Sequence, residues 1–402
     1  MNFLFIYPKL QTGGVETLIV RMSNWLVKRN HQVRLLIQDE GDLDHLLDEK
    51  VVIKKIGLKY YLLYLPFICK RVVKKPFYKS IDVIYSFEGT TVWLSSILYK
   101  YMTTKPVFLS GVYQPNEYDS YTKFENKYYR RLIVSYLDER SLVFMNNANL
   151  ISVEQNLNWK FKKTKILPIP VEVERFRDIK RDPIKFKIVS IGRLVDFKSY
   201  NLLMVDIVRQ LIEEGIPVSY HIYGYGSLEN QIRERISLLD LNKHVFLEGK
   251  LPYSKMSEVL TDAYVFIGMG TSIIEASLCK VPSILAIFCD ENSETYGLFH
   301  EQRGYNLGEK VKGEKKYKII DILRESFKWS KHEYETQSME AFNYGLEFSI
   351  DNVMSKFLSF CSGEKLKQKP ISNRFLYNYF IRIVLKKISR RLMKPYKYVF
   401  GK

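Results

Sequence analysis

The most informative glycine-rich segment, GMGTSIIEA, occupies residues 268–276 and joins an apolar run to a helical pattern. Its turn offers backbone N–H groups and the hydroxyls of Thr271 and Ser272 to an anion, beside the conformationally permissive Gly270. Glu275 follows in the first turns of the helix, where its carboxylate reaches a sugar hydroxyl of a ligand bound on the turn. The alternative is structural, with Ser272 as the helix cap and Glu275 closing a capping box. The two interpretations are compatible with each other.

A second segment combines a glycine with two cations. Gly192 and Arg193 follow the strand-like run KIVSI, and Lys198 comes five residues after Arg193. Ligands of parallel α/β folds bind at the carboxyl ends of strands, where Arg grips phosphate oxygens bidentately and Lys acts as a point charge. The segment predicts a diphosphate site, and the alternative is a solvated loop.

Two shorter glycine turns follow other strand-like runs. Gly224 and Gly226 lie in HIYGYGS and permit close approach of a base or a phosphate, whereas Gly13 and Gly14 separate the first apolar run from a helical pattern containing Glu16. Neither turn has the spacing G-x-G-x-x-G, which disfavours a dinucleotide, and we predict no cofactor. Each short motif is also compatible with an ordinary turn.

The elements that position these residues alternate as in a doubly wound α/β sheet. We predict strands followed by helices in two blocks, with the proline-rich run ILPIP (166–170) as the linker. In the first block the predicted strands are 3–7, 32–38, 82–86, 107–110 and 150–153, and 118–138 is predicted to be helical. The predicted domains are 1–180, 181–345 and a C-terminal region, 346–402.

Charge is distributed unevenly over the 402 residues. The net charge of +18 divides into +10 over 1–180, −2 over 181–345 and +10 over 346–402. Residues 51–81 hold eight Lys or Arg and no acid, and residues 365–402 hold twelve and no acid. Such an excess indicates anionic partners and says little about the fold.

Several kinds of protein are disfavoured by the sequence. The four cysteines lie far apart without metal-ligand spacing, which is typical of thiols in a reducing compartment. No Asp-x-Asp follows a strand, so we predict no metal site. The N-terminal apolar run is too short for a secretory signal, and no run is long enough to span a bilayer.

The order of the motifs resembles that of the family 4 glycosyltransferases. The resemblance covers residues 1–360, is most specific over 188–282, and includes the linker ILPIPVEVERF (166–176) and the segment EFSIDNVMSKFLSF (347–360). It implies the GT-B architecture, in which two Rossmann-like domains face a cleft. It also implies that Arg193 and Lys198 hold the diphosphate of a nucleotide sugar and that Glu275 binds the donor ribose. The remaining implied donor contacts are Gly13, Gly14, Gly192, Gly224, Gly226, Gly270, Thr271 and Ser272.

Two departures from the family pattern concern the sugar and the acceptor. The first Glu of the family's E-x7-E motif, which contacts the donor sugar, is replaced by Ile267. The family's acceptor-side His is absent from FLSGVYQPNEY (108–118). The acceptor-side candidates are instead Tyr113, Gln114, Glu117 and Glu16, and Asp119 is a further candidate base. The stereochemical outcome therefore stays open.

The basic C-terminus predicts an amphipathic helix over 371–394. Leu376, Phe380, Val384, Ile388 and Leu392 form one row, and Arg382, Lys386, Arg390 and Lys394 form another. A helix of this kind lies in an anionic membrane interface, and residues 51–81 would add a second contact. The alternative is a helix packed back on the first domain with its basic face in solvent.

These features together predict a metal-independent glycosyltransferase peripheral to the cytoplasmic face of the cell membrane. It would transfer a sugar from a nucleotide donor, by default UDP-linked, to a lipid-linked or saccharide acceptor for a surface polysaccharide such as capsule or lipopolysaccharide. One alternative is a nucleotide-sugar epimerase of the same architecture, which would require several catalytic acids and His in the cleft. A nucleic-acid-binding protein is disfavoured because no binding module is present and 181–345 is net negative.

Overall fold

The computed structural model divides the chain into two compact units. The first unit comprises Met1–Met145, Asn149–Leu167 and the residues from Phe357 onward, and the second comprises Asn146–Ala148 and Pro168–Lys356. The residues described are 1–11, 13–57, 62–118, 128–176, 179–363, 366, 368–369 and 371–382. Thr12, Asp119, residues 58–61 of the basic segment and residues 383–402 therefore lie outside the described part.

The first unit is built on a parallel sheet in the order β3-β2-β1-β4-β5-β6-β7. Its apolar strands are buried on both faces, as expected for a parallel sheet covered by helices. The strands are β1 (Asn2–Ile6), β2 (Gln32–Ile37), β3 (Val52–Lys55), β4 (Val83–Ser86), β5 (Val107–Val112), β6 (Leu142–Phe144) and β7 (Lys165–Ile166). The helices are α1 (Gly14–Lys28), α2 (Pro66–Val72), α3 (Gly89–Tyr101) and α4 (Asn147–Leu157).

The predicted strand over residues 150–153 is wrong, because these residues lie inside α4. Val153 and Leu157 are one helical turn apart and both are fully buried, so the apolar run continues with a helical period. A short apolar run does not distinguish a strand from a buried helix segment. The strand of this region is instead β6, which begins eight residues before the predicted strand.

The second unit holds a sheet in the order β10-β9-β8-β11-β12-β13-β14. The strands are β8 (Lys187–Ile191), β9 (Ser219–Tyr223), β10 (Val245–Gly249), β11 (Val265–Gly268), β12 (Ser283–Ala286), β13 (Glu294–Leu298) and β14 (Tyr317–Lys318). The helices are α5 (Tyr200–Glu213), α6 (Glu229–Leu238), α7 (Met256–Leu260), α8 (Thr271–Leu278), α9 (Ile319–Lys328), α10 (Lys331–Leu346) and α11 (Ile350–Ser362), the last of which runs into the first unit from Phe357. The prediction of two Rossmann-like α/β domains is thus confirmed.

Two strands of the second sheet depart from the predicted parallel arrangement. β13 pairs with β12 and β14 pairs with β13, both antiparallel. An antiparallel edge on an otherwise parallel sheet is common in doubly wound folds. The parallel strands β8 and β11 lie side by side, so the chain order reverses between them, which is the feature that positions a ligand site.

The described part of the C-terminal region packs its apolar face on the first unit. Residues 373–382 are helical, and Phe375, Leu376 and Tyr379 belong to the core of that unit. The Tyr379 ring stacks on Trp93 with centroids 3.7 Å apart. The expectation that the row beginning with Leu376 and Phe380 faces a membrane is therefore wrong for these residues. Residues 383–394 of the predicted helix lie outside the described part.

Among the residues described, no helix combines the length and the apolar character that a bilayer span requires.

Candidate functional site

The best-formed candidate site of the second unit lies where β8 and β11 end. The loop after β8 contains Gly192, Arg193 and Lys198, and the turn after β11 leads into α8. Because β8 and β11 are parallel neighbours, both loops leave the same edge of the sheet. Ligands of open α/β sheets bind at such a switch point, outside the carboxyl ends of the strands.

Lys198 bends back over Gly192. A Cβ atom at position 192 would lie 2.7 Å from Nζ of Lys198, so a side chain there would displace the ammonium. Burial, together with the nearby positive charge of Arg193, lowers the pKa of Lys198 to about 8. The described residues supply no carboxylate that offsets this effect. A partly desolvated ammonium without an acidic partner is favourable for binding an anion.

The loop that carries Lys198 is fastened to the segment after β12. The backbone N–H of Cys289 donates to the carbonyl of Phe197 at 2.9 Å, and the rings of Phe197 and Phe288 stack with centroids 5.3 Å apart. The Ser199 hydroxyl donates to the carbonyl of Asp290 at 2.5 Å. These contacts fix the backbone on both sides of Lys198, so its ammonium is positioned by the fold.

Gly224 and Gly226 pack against the neighbouring loop. A Cβ at 224 would lie 1.8 Å from the carbonyl oxygen of Gly192, and a Cβ at 226 would lie 2.2 Å from that of Leu194. The N–H of Gly192 donates to the carbonyl of Tyr223 at 2.9 Å, and the N–H of Leu194 donates to the carbonyl of Tyr225 at 3.0 Å. Both glycines are thus required for packing between loops, whatever ligand contacts they also make.

The turn into α8 does not form the capping box considered above. The N-cap is Gly270, which has no side chain to cap the helix, and the Ser272 hydroxyl donates to the carbonyl of Met269 at 3.4 Å. Gly270 has φ 76° and ψ −150°, a conformation open essentially only to glycine. The exposed Thr271 is the first helical residue. The first N–H groups of α8 are therefore available to an anion.

Glu275 lies one turn into α8 and is only 4% exposed. Its charge contributes to the raised pKa of the Cys279 thiol, although burial is the main cause. Ile267, which stands where the resembling family has its first Glu, lies in β11 and is fully buried. The motif of two acids is therefore replaced by one buried acid and one core residue.

A second cluster lies in the first unit, where β1, β4 and β5 end. The hydroxyl of Tyr7 donates to Oε1 of Glu16 at 3.0 Å, and the N–H of Gly89 donates to Oε1 of Glu117. Burial raises the pKa of Tyr7, and the charges of Glu16, Glu88 and Glu117 raise it further. Three carboxylates thus act on one phenol at the carboxyl edge of this sheet.

Glu117 is an acid of this cluster with an altered pKa. Burial raises the pKa of its carboxyl to about 7, and the charge of Glu88 adds to the effect. Hydrogen bonds from the backbone of Gly89 and Tyr113 act in the opposite direction. The carboxyl therefore exchanges its proton near neutral pH, as a general base requires.

The other acceptor-side candidates are arranged differently. Tyr113 is buried, and its hydroxyl lies 2.7 Å from that of Tyr85. Gln114 is exposed. A Cβ at Gly13 would lie 2.3 Å from Oε2 of Glu16, so this glycine leaves room for the carboxylate, whereas Gly14 has no heavy atom near its Cβ position.

Sequence reasoning missed Tyr7 and Glu88 as members of this cluster. Each directly follows a strand or lies within two residues of its end, β1 for Tyr7 and β4 for Glu88. Glu88 follows the predicted strand 82–86 by two residues, and that position is the signal that could have identified it, whereas Tyr7 lies inside the predicted strand 3–7 and carries no such signal. In the described chain no group of His, Cys, Asp or Glu is arranged to hold a metal ion.

Comparisons with known proteins concern mainly the second unit. Residues 172–301 match the family model described as "Glycosyl transferases group 1". The poly(ribitol-phosphate) alpha-N-acetylglucosaminyltransferase of Staphylococcus aureus is 31% identical over 103 residues, 24% of this chain and 21% of that protein. The amylovoran biosynthesis glycosyltransferase AmsK of Erwinia amylovora is 27% identical over 128 residues, 31% of each chain. The chain spans less than half the length of the curated relatives it matches.

A solved structure extends the likeness to most of the chain. The crystal structure of a glycosyltransferase from Rickettsia africae has a TM-score of 0.65 and 16% identity, and the match covers 90% of this chain and 97% of that one. At this identity the likeness establishes the fold alone. Residues 172–301 are therefore similar to the group 1 glycosyltransferases, and the chain shares the two-domain α/β fold of that solved glycosyltransferase.

Proposed function

We propose that this protein is a metal-independent glycosyltransferase of family 4 that uses a nucleotide sugar, UDP-linked by default, as its donor. The observation that carries the proposal is the position of Lys198 over Gly192, beside the uncapped start of α8. A cation and free backbone N–H groups at a sheet switch point suit a diphosphate. In this proposal Arg193 and Lys198 hold the diphosphate, and Glu275 binds the ribose.

The proposed chemistry places these groups where charge develops. Transfer breaks the bond between the anomeric carbon and a phosphate oxygen, and negative charge accumulates on the leaving diphosphate. Fixed donors aimed at developing charge supply much of the stabilisation in such reactions. Below about pH 8 the Lys198 side chain is protonated and positively charged. A bound diphosphate would raise the pKa of Lys198, because a neighbouring negative charge favours the ammonium.

For the acceptor we propose a lipid-linked or saccharide substrate in surface polysaccharide synthesis. The matched relatives are named for glycosyl transfer to poly(ribitol-phosphate) and for amylovoran biosynthesis, which supports this class. Glu117 is the proposed acceptor-side base because its carboxyl titrates near neutral pH. Glu16 is proposed to contribute to the same region, whereas Gly13 and Gly14 are proposed to contact the donor. The anomeric outcome is not part of the proposal.

The proposed location is the cytoplasmic face of the cell membrane, with an anionic bilayer as partner. The acid-free segment 51–81 supports it, since a basic surface is attracted to anionic lipid. No nucleic acid partner is proposed. The alternative activity, nucleotide-sugar epimerisation, draws no support from the relatives named above, which are both named as transferases.

The proposal is tested with a panel of radiolabelled nucleotide sugars. Purified protein and membranes are incubated with each donor, and lipid-linked products are extracted and separated from free sugar. We expect one donor to transfer its label to an extractable acceptor. Release of the donor as an epimer, without a labelled acceptor, would instead establish the alternative activity.

A further inference from the structure

An arginine-lined hollow lies on the surface of the first unit, against the C-terminal helical segment 373–382. The hollow has a volume of about 490 Å³. Arg131, Arg374 and Arg382 line it together with the rings of Tyr128 and Phe375. Its remaining lining residues are Ser372 and Asn378, so no carboxylate occurs in the lining found among the described residues.

The charges of this hollow are arranged to receive an anion. Arg131 lies over the ring of Phe375 with its Cζ atom 4.9 Å from the centroid, and Arg382 lies over Tyr128 at 5.9 Å. Stacking on rings orients a guanidinium. The three arginines come from two segments and line one hollow, so an anion held in the hollow is attracted by each of them. Phosphate oxygens match the fork of the guanidinium donors.

The exposed face of the same helical segment indicates which phosphate-containing partner binds the hollow. Its exposed residues recur at helical spacing and combine cations with apolar or aromatic side chains: Arg374, Tyr377, Asn378, Ile381 and Arg382. Ile381 is 51% exposed and Tyr377 is 36% exposed. The opposite face is held in the core, as described for Tyr379 and Trp93. A rigidly held face of this composition is typical of a membrane interface.

The segment is also fixed at its start. The Lys100 ammonium donates to the carbonyl of Ile371 and, at 2.6 Å, to Oδ1 of Asn373. The Tyr101 hydroxyl donates to the same oxygen at 2.9 Å. The arginines of the segment are therefore presented by a fixed backbone, which lowers the entropy lost on binding.

We propose that this arginine hollow binds the phosphate groups of an anionic phospholipid bilayer, with Tyr377 and Ile381 lying in the interface. The inference rests on the membrane partner named in the proposed function and gives it a defined site. It replaces the expectation that the face containing Leu376 enters the bilayer, because that face is covered by the first unit. Soluble phosphate and RNA also offer phosphate groups to the arginines, but neither provides an apolar environment in which the exposed Ile381 could be buried.

The test is sedimentation of the full chain with vesicles of phosphatidylglycerol and phosphatidylcholine, or of phosphatidylcholine alone. The variant R131Q/R374Q/R382Q is compared with R209Q/R233Q/R303Q, which removes the same charge from the second unit. At about 1 kcal/mol for each basic residue, we expect the first variant to lose affinity for anionic vesicles about a hundredfold. The control should lose little. Equal losses in the two variants would overturn the proposal.

Additional arms distinguish the sources of phosphate and the role of the apolar residues. We expect I381S to weaken vesicle binding. In a separate arm, we expect inorganic phosphate not to compete with vesicles for the unaltered chain. Competition by inorganic phosphate or by RNA at concentrations that match the lipid would contradict a bilayer site. Thermal unfolding identifies a variant that fails to fold, and R131K/R374K/R382K then provides a charged replacement, expected to retain part of the binding.

UDP titration of every variant separates this inference from the proposed function. Vesicle binding without UDP binding in the unaltered chain would contradict the donor site and leave the lipid site standing. UDP binding with unchanged vesicle binding in R131Q/R374Q/R382Q would contradict the lipid site alone.

Discussion

At the scale of single residues, two side chains carry unusual protonation equilibria for the same reason. Lys198 and Glu117 are both withdrawn from water, and neither is offset by an opposite charge among the described residues. Burial favours the neutral form, so the pKa of the lysine falls to about 8 and that of the glutamate rises to about 7. Each group is thereby prepared for a charged ligand or a transferred proton.

The Glu117 carboxyl should make stability depend on pH. Its pKa rises from 4.5 to about 7 on folding, so the unfolded chain releases the proton first as the pH increases. The stabilisation is complete below about pH 4.5 and is lost as the pH rises through about 7, with an upper bound of about 3 kcal/mol. We expect Glu117→Gln, which still accepts a hydrogen bond but does not ionise, to gain stability over the unaltered chain only at the higher pH.

Thermal unfolding below pH 4.5 and above pH 7 checks this expectation, with the exposed Glu49→Gln as the matched control. A Glu117→Gln effect of equal size at the two pH values would contradict the assigned titration.

At the scale of elements, sequence patterns predicted the positions of strands and helices better than they predicted what packs against each apolar face. The strand-like run KIVSI and the apolar run that leads into Gly268 coincide with β8 and β11, because regular alternation of strand and helix is a strong signal. The helix over 373–382 was also predicted, but the sequence did not decide whether its apolar face packs on the first unit or on a membrane. An apolar row such as that beginning with Leu376 is identical whether protein or lipid covers it. The carboxylates around Tyr7 come from distant segments, which only the folded sheet brings together.

The start of α8 should be sensitive to a single methyl group. Gly270 has φ 76° and ψ −150°, so Gly270→Ala introduces backbone strain although no neighbouring atom blocks the Cβ. We expect this variant to destabilise the second unit by about 1–3 kcal/mol and to weaken UDP binding. Gly313→Ala is the control, because Gly313 has a similar φ of 83° and open space at its Cβ position but lies outside the proposed site.

Chemical denaturation and UDP titration measure the two consequences of Gly270→Ala. A Gly270→Ala variant that binds UDP as tightly as Gly313→Ala would contradict the role of this turn in the proposed donor site.

At the scale of the whole molecule, charge and proposed chemistry are assigned to different regions. The segment 181–345, which holds Arg193 and Lys198, has a net charge of −2, whereas 51–81 and 365–402 hold basic residues and no acid. The local cations at the end of β8 therefore stand out from a nearly neutral surrounding, as a specific anion site requires. The acid-free regions belong to the first unit, where the arginine hollow also lies.

The most direct measurement of the central claim is the rate of sugar transfer by Lys198→Ala. The exposed Lys255→Ala is its matched control, with thermal unfolding of both variants recorded alongside. The donor is the one identified with the labelled panel. Loss of one fixed charge at the leaving diphosphate predicts a decrease in kcat/KM of about a hundredfold, equivalent to about 3 kcal/mol. A Lys198→Ala variant that folds and transfers sugar as fast as Lys255→Ala would contradict the account.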